Sequence, residues 1–218
     1  MPWNVFDPEV EILQSQRNLP HRDQNGALTF VTFRLGDSMP KAIINRWQEE
    51  IAEALTQHGL AGQSLESVLN SSEVPEKTNQ LLREHKAERW HFHLDSCHGE
   101  CLLRQPCNAA EVSKSILHFN GDRYDVERFV VMPNHVHVMI QMRAGIELRR
   151  IFREIQRFSA REINRLMGRK GDLWQGEPFD HIVRSEAQFR RLQRYISDNP
   201  LKAKLHVGEY LYWECQEM

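Results

Sequence analysis

The run VVMPNHVHVMI at residues 130–140 constrains the fold more than any other stretch of the chain. Val130, Val131, Val136, Val138 and Ile140 are residue types that fill half-buried pleated strands, and Pro133-Asn134 is a turn pair that divides the run into two extended segments. From Asn134 onward, strand alternation sends His135 and His137 to one face and Val136 and Val138 to the other. The chain must therefore build a sheet with one apolar face, and the opposite face carries two imidazoles aimed at one place.

The elements around this run read as α+β. GALTFVTFRL, residues 26–35, alternates like a strand and stops at Gly36-Asp37-Ser38. Pro40 opens a helical run in which Ile43, Ile44, Trp47, Ile51 and Leu55 recur at three- and four-residue spacing as far as Gly59. Residues 60–75 are small and polar and read as a linker, helices follow over 76–94 and 109–118, and GECLLRQ between them is a short extended piece. The expected fold is a single domain over 1–218: a central antiparallel sheet of four or five strands, helices on one face, and a mainly helical insertion over about 36–120.

Charge is divided along the chain. Residues 1–120 carry 11 basic against 16 acidic residues, net −5, whereas residues 141–205 carry 15 against 8, net +7, which assigns any polyanion binding to the C-terminal half. There Arg149, Arg153, Arg157, Arg161, Arg165 and Arg169 recur every four residues and form a slowly drifting basic stripe on a helix, with Ile151, Ile155, Phe158, Ile163 and Leu166 on its buried side. A solvated face partnered by Glu154 and Glu162 is the plain reading, and the scarcity of acids favours phosphate contact.

Two imidazoles on one strand are also common as ordinary buried residues, and a metal site needs a third ligand from another element. EAQFRRLQRYISDNPLKAKL is an amphipathic helix that Asn199-Pro200 is expected to end, with Tyr195 and Asn199 one turn apart and Arg190, Arg191 and Arg194 beside them. Taken plainly, Tyr195 is a core-edge residue and Asn199 a C-cap. A second triplet, His91-Phe92-His93, falls in a helical segment where side chains two apart diverge by about 200°, so it reads as helix surface. Cys97, Cys101, Cys107 and Cys215 lack paired CxxC spacing and read as reduced thiols, with Cys101 a buried small hydrophobe.

PNHVHVMI, the basic helix after it, and LWQGEPFDHIVRSEAQFRRLQRYISDNPLKAKL resemble the REP-associated tyrosine transposases, a branch of the single-tyrosine HUH transposases that act on single-stranded DNA. NLPH followed by FVTFRL is similar to that family's opening, and the resemblance runs from about Arg17 to Leu205. It implies a ferredoxin-like sheet of the HUH type, with His135 and His137 as metal ligands, Asn199 completing the metal shell and Tyr195 as the nucleophile. It further implies Mg²⁺ or Mn²⁺ as cofactor, and cleavage and rejoining of single strands at REP-like hairpins through a 5′-phosphotyrosine. Arg149, Arg153, Arg157, Arg161, Arg190, Arg191 and Arg194 are the expected backbone contacts, and Trp174, Phe179 and His181 the expected base-stacking side chains. Residues 60–120 exceed the minimal family fold.

Other readings separate by chemistry. A non-catalytic DNA-binding regulator would share the stripe without needing Tyr195, His135 and His137 together, and a metal-dependent phosphodiester hydrolase would leave Tyr195 structural. No stretch approaches the roughly 18–20 apolar residues of a membrane span. MPWNVFDPEVEIL carries acids and neither a basic segment nor an apolar core, so no signal peptide is expected. The expected location is the cytoplasm, in association with the nucleoid, and a monomer is favoured where the sequence itself leaves oligomeric state open.

Overall fold

The computed structural model describes residues 3–8, 13–16, 20–24 and 26–216. Arg17, Asn18 and Leu19, with which the family-like opening begins, lie outside them. In chain order the elements are β1 (Leu13–Gln16), β2 (Pro20–Asp23), β3 (Leu28–Arg34), α1 (Lys41–Gln57), α2 (Leu65–Asn70), α3 (Glu76–Asp95), α4 (Pro106–Leu117), β4 (Tyr124–Val131), β5 (His135–Met142), α5 (Leu148–Met167), β6 (Phe179–Ile182), α6 (Glu186–Lys202) and β7 (Leu211–Glu214). They fall into two compact units, one of residues 1–38 with 100–218 and one of residues 39–99.

The larger unit is built on a five-stranded sheet in the order β6-β3-β5-β4-β7, every pairing antiparallel, and β1 pairs with β2 in a separate ribbon. β5 is its centre because both faces of HVHVMIQM are covered. Val136, Val138, Ile140 and Met142 join Val31 and Phe33 of β3, and Leu35 just beyond it, in an apolar cluster with Val112 and Ile116 of α4 and Ile151, Phe152, Ile155 and Ile163 of α5. On the opposite face Phe30, Val130 and Met139 pack with Phe189 and Ile196 of α6. The α+β class and the antiparallel sheet are as the sequence implied, but the helices occupy both faces rather than one. The physical reason is the second face of β5: His135, His137 and Met139 are all fully buried, and α6 is the helix packed over that side.

α5 follows its sequence in Ile151, Ile155 and Ile163, but Phe158 and Leu166, expected on the buried side, are exposed because they fall outside the arc that packs on the sheet. Leu148, Ile151, Phe152, Ile155, Ser159 and Ile163 form its buried stripe, and Gly168, at φ +63°, ends it in the left-handed conformation while Arg169 N–H bonds back to Asn164 O at 2.8 Å. α6 starts at Ser185, whose side chain accepts from Gln188 N–H, and it does not stop at Asn199-Pro200 as the proline suggested. Pro200 lies inside the helix and Ala203 is the C-cap. Asn199 is consequently an internal helical residue and not a cap.

The smaller unit has its own core of Ile51, Ala54, Leu55, Val68 and Leu82. The polar stretch expected to be a linker contains α2, capped by Ser64. His93 is buried, against the expectation of a surface residue, because its Nε2 lies 2.8 Å from Glu50 Oε2 while Arg89 holds both oxygens of the same carboxylate. Those hydrogen bonds hold the Glu50 carboxyl down to about 2. The helical excursion expected over about 36–120 is thus divided: residues 39–99 form this unit, whereas α4 packs on α5 in the larger one. No helix among the described residues is long and apolar enough to cross a membrane.

Candidate active site

Register fixes the face on which the histidines meet. His137 stands between Thr32 of β3 and Val130 of β4, and His135 is paired with Arg34. The two Nε2 atoms are 3.0 Å apart, and both side chains are fully buried. Each ring is held through its other nitrogen. His135 Nδ1 lies 2.8 Å from Asn134 Oδ1, an oxygen that can only accept, so Nδ1 carries the proton and Nε2 presents its lone pair. His137 Nδ1 lies 2.7 Å from Thr32 Oγ1, and Phe30 stacks on the His137 ring with centroids 5.4 Å apart.

Tyr195 reaches this pair from α6. Its hydroxyl lies 3.1 Å from His137 Nε2, its ring meets the His137 and Phe30 rings at 5.1 and 6.1 Å, and Lys202 Nζ stands 5.7 Å from its ring centroid. The chain's other tyrosines are placed differently. Tyr124 is fully buried, donates to Ile116 O at 2.8 Å, and burial pushes its hydroxyl up to about 12. Tyr212 donates to Glu214 at 2.6 Å and is also pushed upward, by burial and then by that bond, while Tyr210 packs at the edge of the α6 core.

Asn199 follows Tyr195 by one helical turn. It is fully buried, and neither Oδ1 nor Nδ2 has a hydrogen-bond partner among the described residues. An orphaned buried polar atom costs on the order of 1–3 kcal/mol, so a fully buried amide without a partner points to a ligand. Two imidazole nitrogens 3.0 Å apart also have the separation of adjacent ligands on an octahedral ion, about 3.0 Å for bonds of about 2.1 Å at right angles. His135 and His137 thus offer two adjacent nitrogen donors that suit a divalent cation, and Asn199 is a buried amide with both polar atoms unused.

Residues 108–199 match the family model of IS200-like transposases. The family resemblance is shown over that stretch. The IS200-like segment opens in α4 and ends at Asn199, so it contains both histidines and Tyr195. Among solved structures, a REP-associated tyrosine transposase bound to a REP hairpin is 16% identical, with 87% of this chain and 74% of that chain covered and a TM-score of 0.43. A candidate transposase from Deinococcus radiodurans is 11% identical, with 86% and 98% covered and a TM-score of 0.31. No curated protein matches the sequence.

The remaining expected site residues of the IS200-like segment are scattered. Trp174 is core: its Nε1–H donates to Ser159 Oγ at 3.0 Å and its ring meets Phe33 at 4.8 Å, so it cannot stack on a base without unpacking the sheet. The arginine stripe lies on α5, across the sheet from Tyr195. Arg153 and Arg157 are exposed there, Arg161 is paired with Glu162, and Arg149 is half-buried near Glu177. On α6, Arg190 is paired with Glu186, whereas Arg191 and Arg194 are exposed without an acidic partner among the described residues. Sequence reasoning missed Thr32, Asn134 and Lys202. Thr32 was marked only by its place between Phe30 and Arg34 in an alternating strand, a signal that acquires meaning once its register against His137 is known.

Proposed function

We propose that the chain is a single-strand DNA transposase of the REP-associated tyrosine type, which cleaves and rejoins strands through a 5′-phosphotyrosine. The observation that carries this reading is the 3.1 Å approach of the Tyr195 hydroxyl to a histidine nitrogen that is itself 3.0 Å from a second one. Tyr195 Oη attacks the scissile phosphorus, the bond from phosphorus to the 3′ oxygen breaks, and that oxygen leaves as a 3′-hydroxyl after taking up a proton; the phenolic proton passes to solvent. A divalent cation held by His135, His137 and Asn199 would supply the charge that polarises the phosphate. Asn134 and Thr32 hold the two rings in place, and Phe30 packs against both His137 and Tyr195. The new ester keeps the energy of the phosphodiester, so rejoining to another 3′-hydroxyl needs no nucleotide cofactor.

The preference for REP-like hairpins rests on the resemblance of LWQGEPFDHIVRSEAQFRRLQRYISDNPLKAKL to the REP-associated enzymes. With it goes the reading of a monomer working on nucleoid DNA in the cytoplasm, a single catalytic domain carrying an inserted helical unit. The test is incubation with labelled hairpin oligonucleotides and Mn²⁺, resolved on a denaturing gel. A protein–DNA adduct is expected from the wild type and none from Tyr195→Phe, and peptide mass analysis should find the nucleotide on RYISDNPLK. Cleavage without adduct would favour the hydrolase, and binding without cleavage the regulator.

A further inference from the structure

Phe179 is the anomaly on the face that carries Tyr195. It opens the edge strand β6, it is 46% exposed, and by register it stands opposite Thr32, which in turn stands opposite His137. Side chains paired across a sheet share a face, so Phe179, Thr32 and His137 form one row, with Phe179 about 10 Å from the histidine strand at two strand spacings. The rings grade inward without a break: Phe179 to His181 at 5.9 Å, His181 to Phe30 at 5.1 Å, Phe30 to His137 at 5.4 Å, and His137 to Tyr195 at 5.1 Å. The ladder is buried at the nucleophile and ends at Phe179, which stays 46% exposed on β6 even though β2 lies beside that strand.

We propose that Phe179, backed by His181, is a stacking subsite for an unpaired nucleobase flanking the cleaved bond. The inference rests on the transposase reading, which supplies the occupant: a strand whose phosphate lies at Tyr195 continues outward within reach of the β6 edge. Every base has a π-face, so a phenyl ring receives it without selecting its identity, as single-strand binding surfaces do. Trp174, the aromatic that the sequence pointed to first, cannot fill this role from the core.

The experiment uses Tyr195→Phe protein, which cannot cleave, and hairpin oligonucleotides carrying 2-aminopurine at the first or second position on either side of the bond cut by the wild type. Stacking quenches this fluorophore, so quenching at one of the four positions is expected on binding. Adding Phe179→Ala should abolish it and weaken binding about 5- to 150-fold, as removal of one stacked base does. Phe179→Tyr should restore both, which separates a missing ring from a disturbed strand. Quenching that survives Phe179→Ala, or no quenching at any position, overturns the subsite. A wild type that forms no adduct on any strand instead overturns the transposase reading beneath it.

Discussion

At the scale of single residues, the site turns on one lone pair. In the tautomer whose Nδ1–H donates to Thr32 Oγ1, His137 presents at Nε2 an acceptor that would serve either the Tyr195 hydroxyl or a cation, and not both at once. Removing the competing hydroxyl should therefore favour the cation. Tyr195→Phe is expected to tighten Mn²⁺ binding, by about 2- to 10-fold for one hydrogen bond of ordinary net strength. Thr32→Val keeps the shape but lets the ring turn, and should weaken binding by about 10- to 100-fold, as removal of an orienting partner does. Calorimetric titration of both variants checks the pair of signs, and equal affinities would show that Thr32 does not orient the ring. Of these residues the histidines were legible in the sequence because alternation alone puts them on one face. Thr32 and Asn134 were not, because a supporting hydrogen bond depends on register between strands far apart in the chain.

At the scale of elements, the question is what holds the helix of Tyr195 in place. β4 carries a bulge between Val126 and Arg128, which sets the buried Glu127 beside the half-buried Arg128. Gln193 of α6 donates to Glu127 Oε1 at 2.7 Å, and Arg128 donates to Ser197 Oγ at 3.1 Å and to the Tyr212 hydroxyl at 3.0 Å. Burial works against the Arg128 charge, but its bonds to Glu127 outweigh this and raise it above its ordinary value. Gln193 and Ser197 flank Tyr195 by two residues on each side, so the clasp sets the rotation of α6 about its axis. Gln193→Ala should cost about 1.5–3 kcal/mol, the range for a hydrogen bond to a charged group. It should also slow the single-turnover rate of adduct formation with the amplitude unchanged; a drop in amplitude alone would mean that the residue only stabilises the fold. Here the sequence was least informative. It marked the helix by period, but it gave Pro200 as an end where packing carries the helix on to Lys202, and it showed nothing of β7 or of the bulge.

At the scale of the whole molecule, chemistry and net charge sit on different sides of the larger unit. Tyr195 and the histidines face α6, whereas the arginine stripe rides on α5, whose apolar side packs against Val136, Val138 and Ile140 from the opposite face of the sheet. Composition located the basic half of the chain correctly but had no means of telling which side of a sheet a helix would take. The stripe is also partly neutralised: Arg161 and Arg165 share Glu162, Arg149 pairs with Glu177 and Arg169 with Glu100, which leaves Arg153 and Arg157 as its exposed cations without an acidic partner among the described residues. If these touch phosphates, they do so on DNA outside the cleavage site, and affinity and rate should separate. Replacing Arg153, Arg157 and Arg161 together by Gln should weaken binding to all single strands alike. It should also reduce the slope of log K against log salt by up to about 2, at roughly 0.7 for each phosphate no longer neutralised. The single-turnover rate at saturating strand should not change, because no group near Tyr195 has been touched. A fall in that rate would mean that the stripe reaches the reacting phosphate after all. An unchanged salt slope would leave the six arginines as the solvated face of a helix.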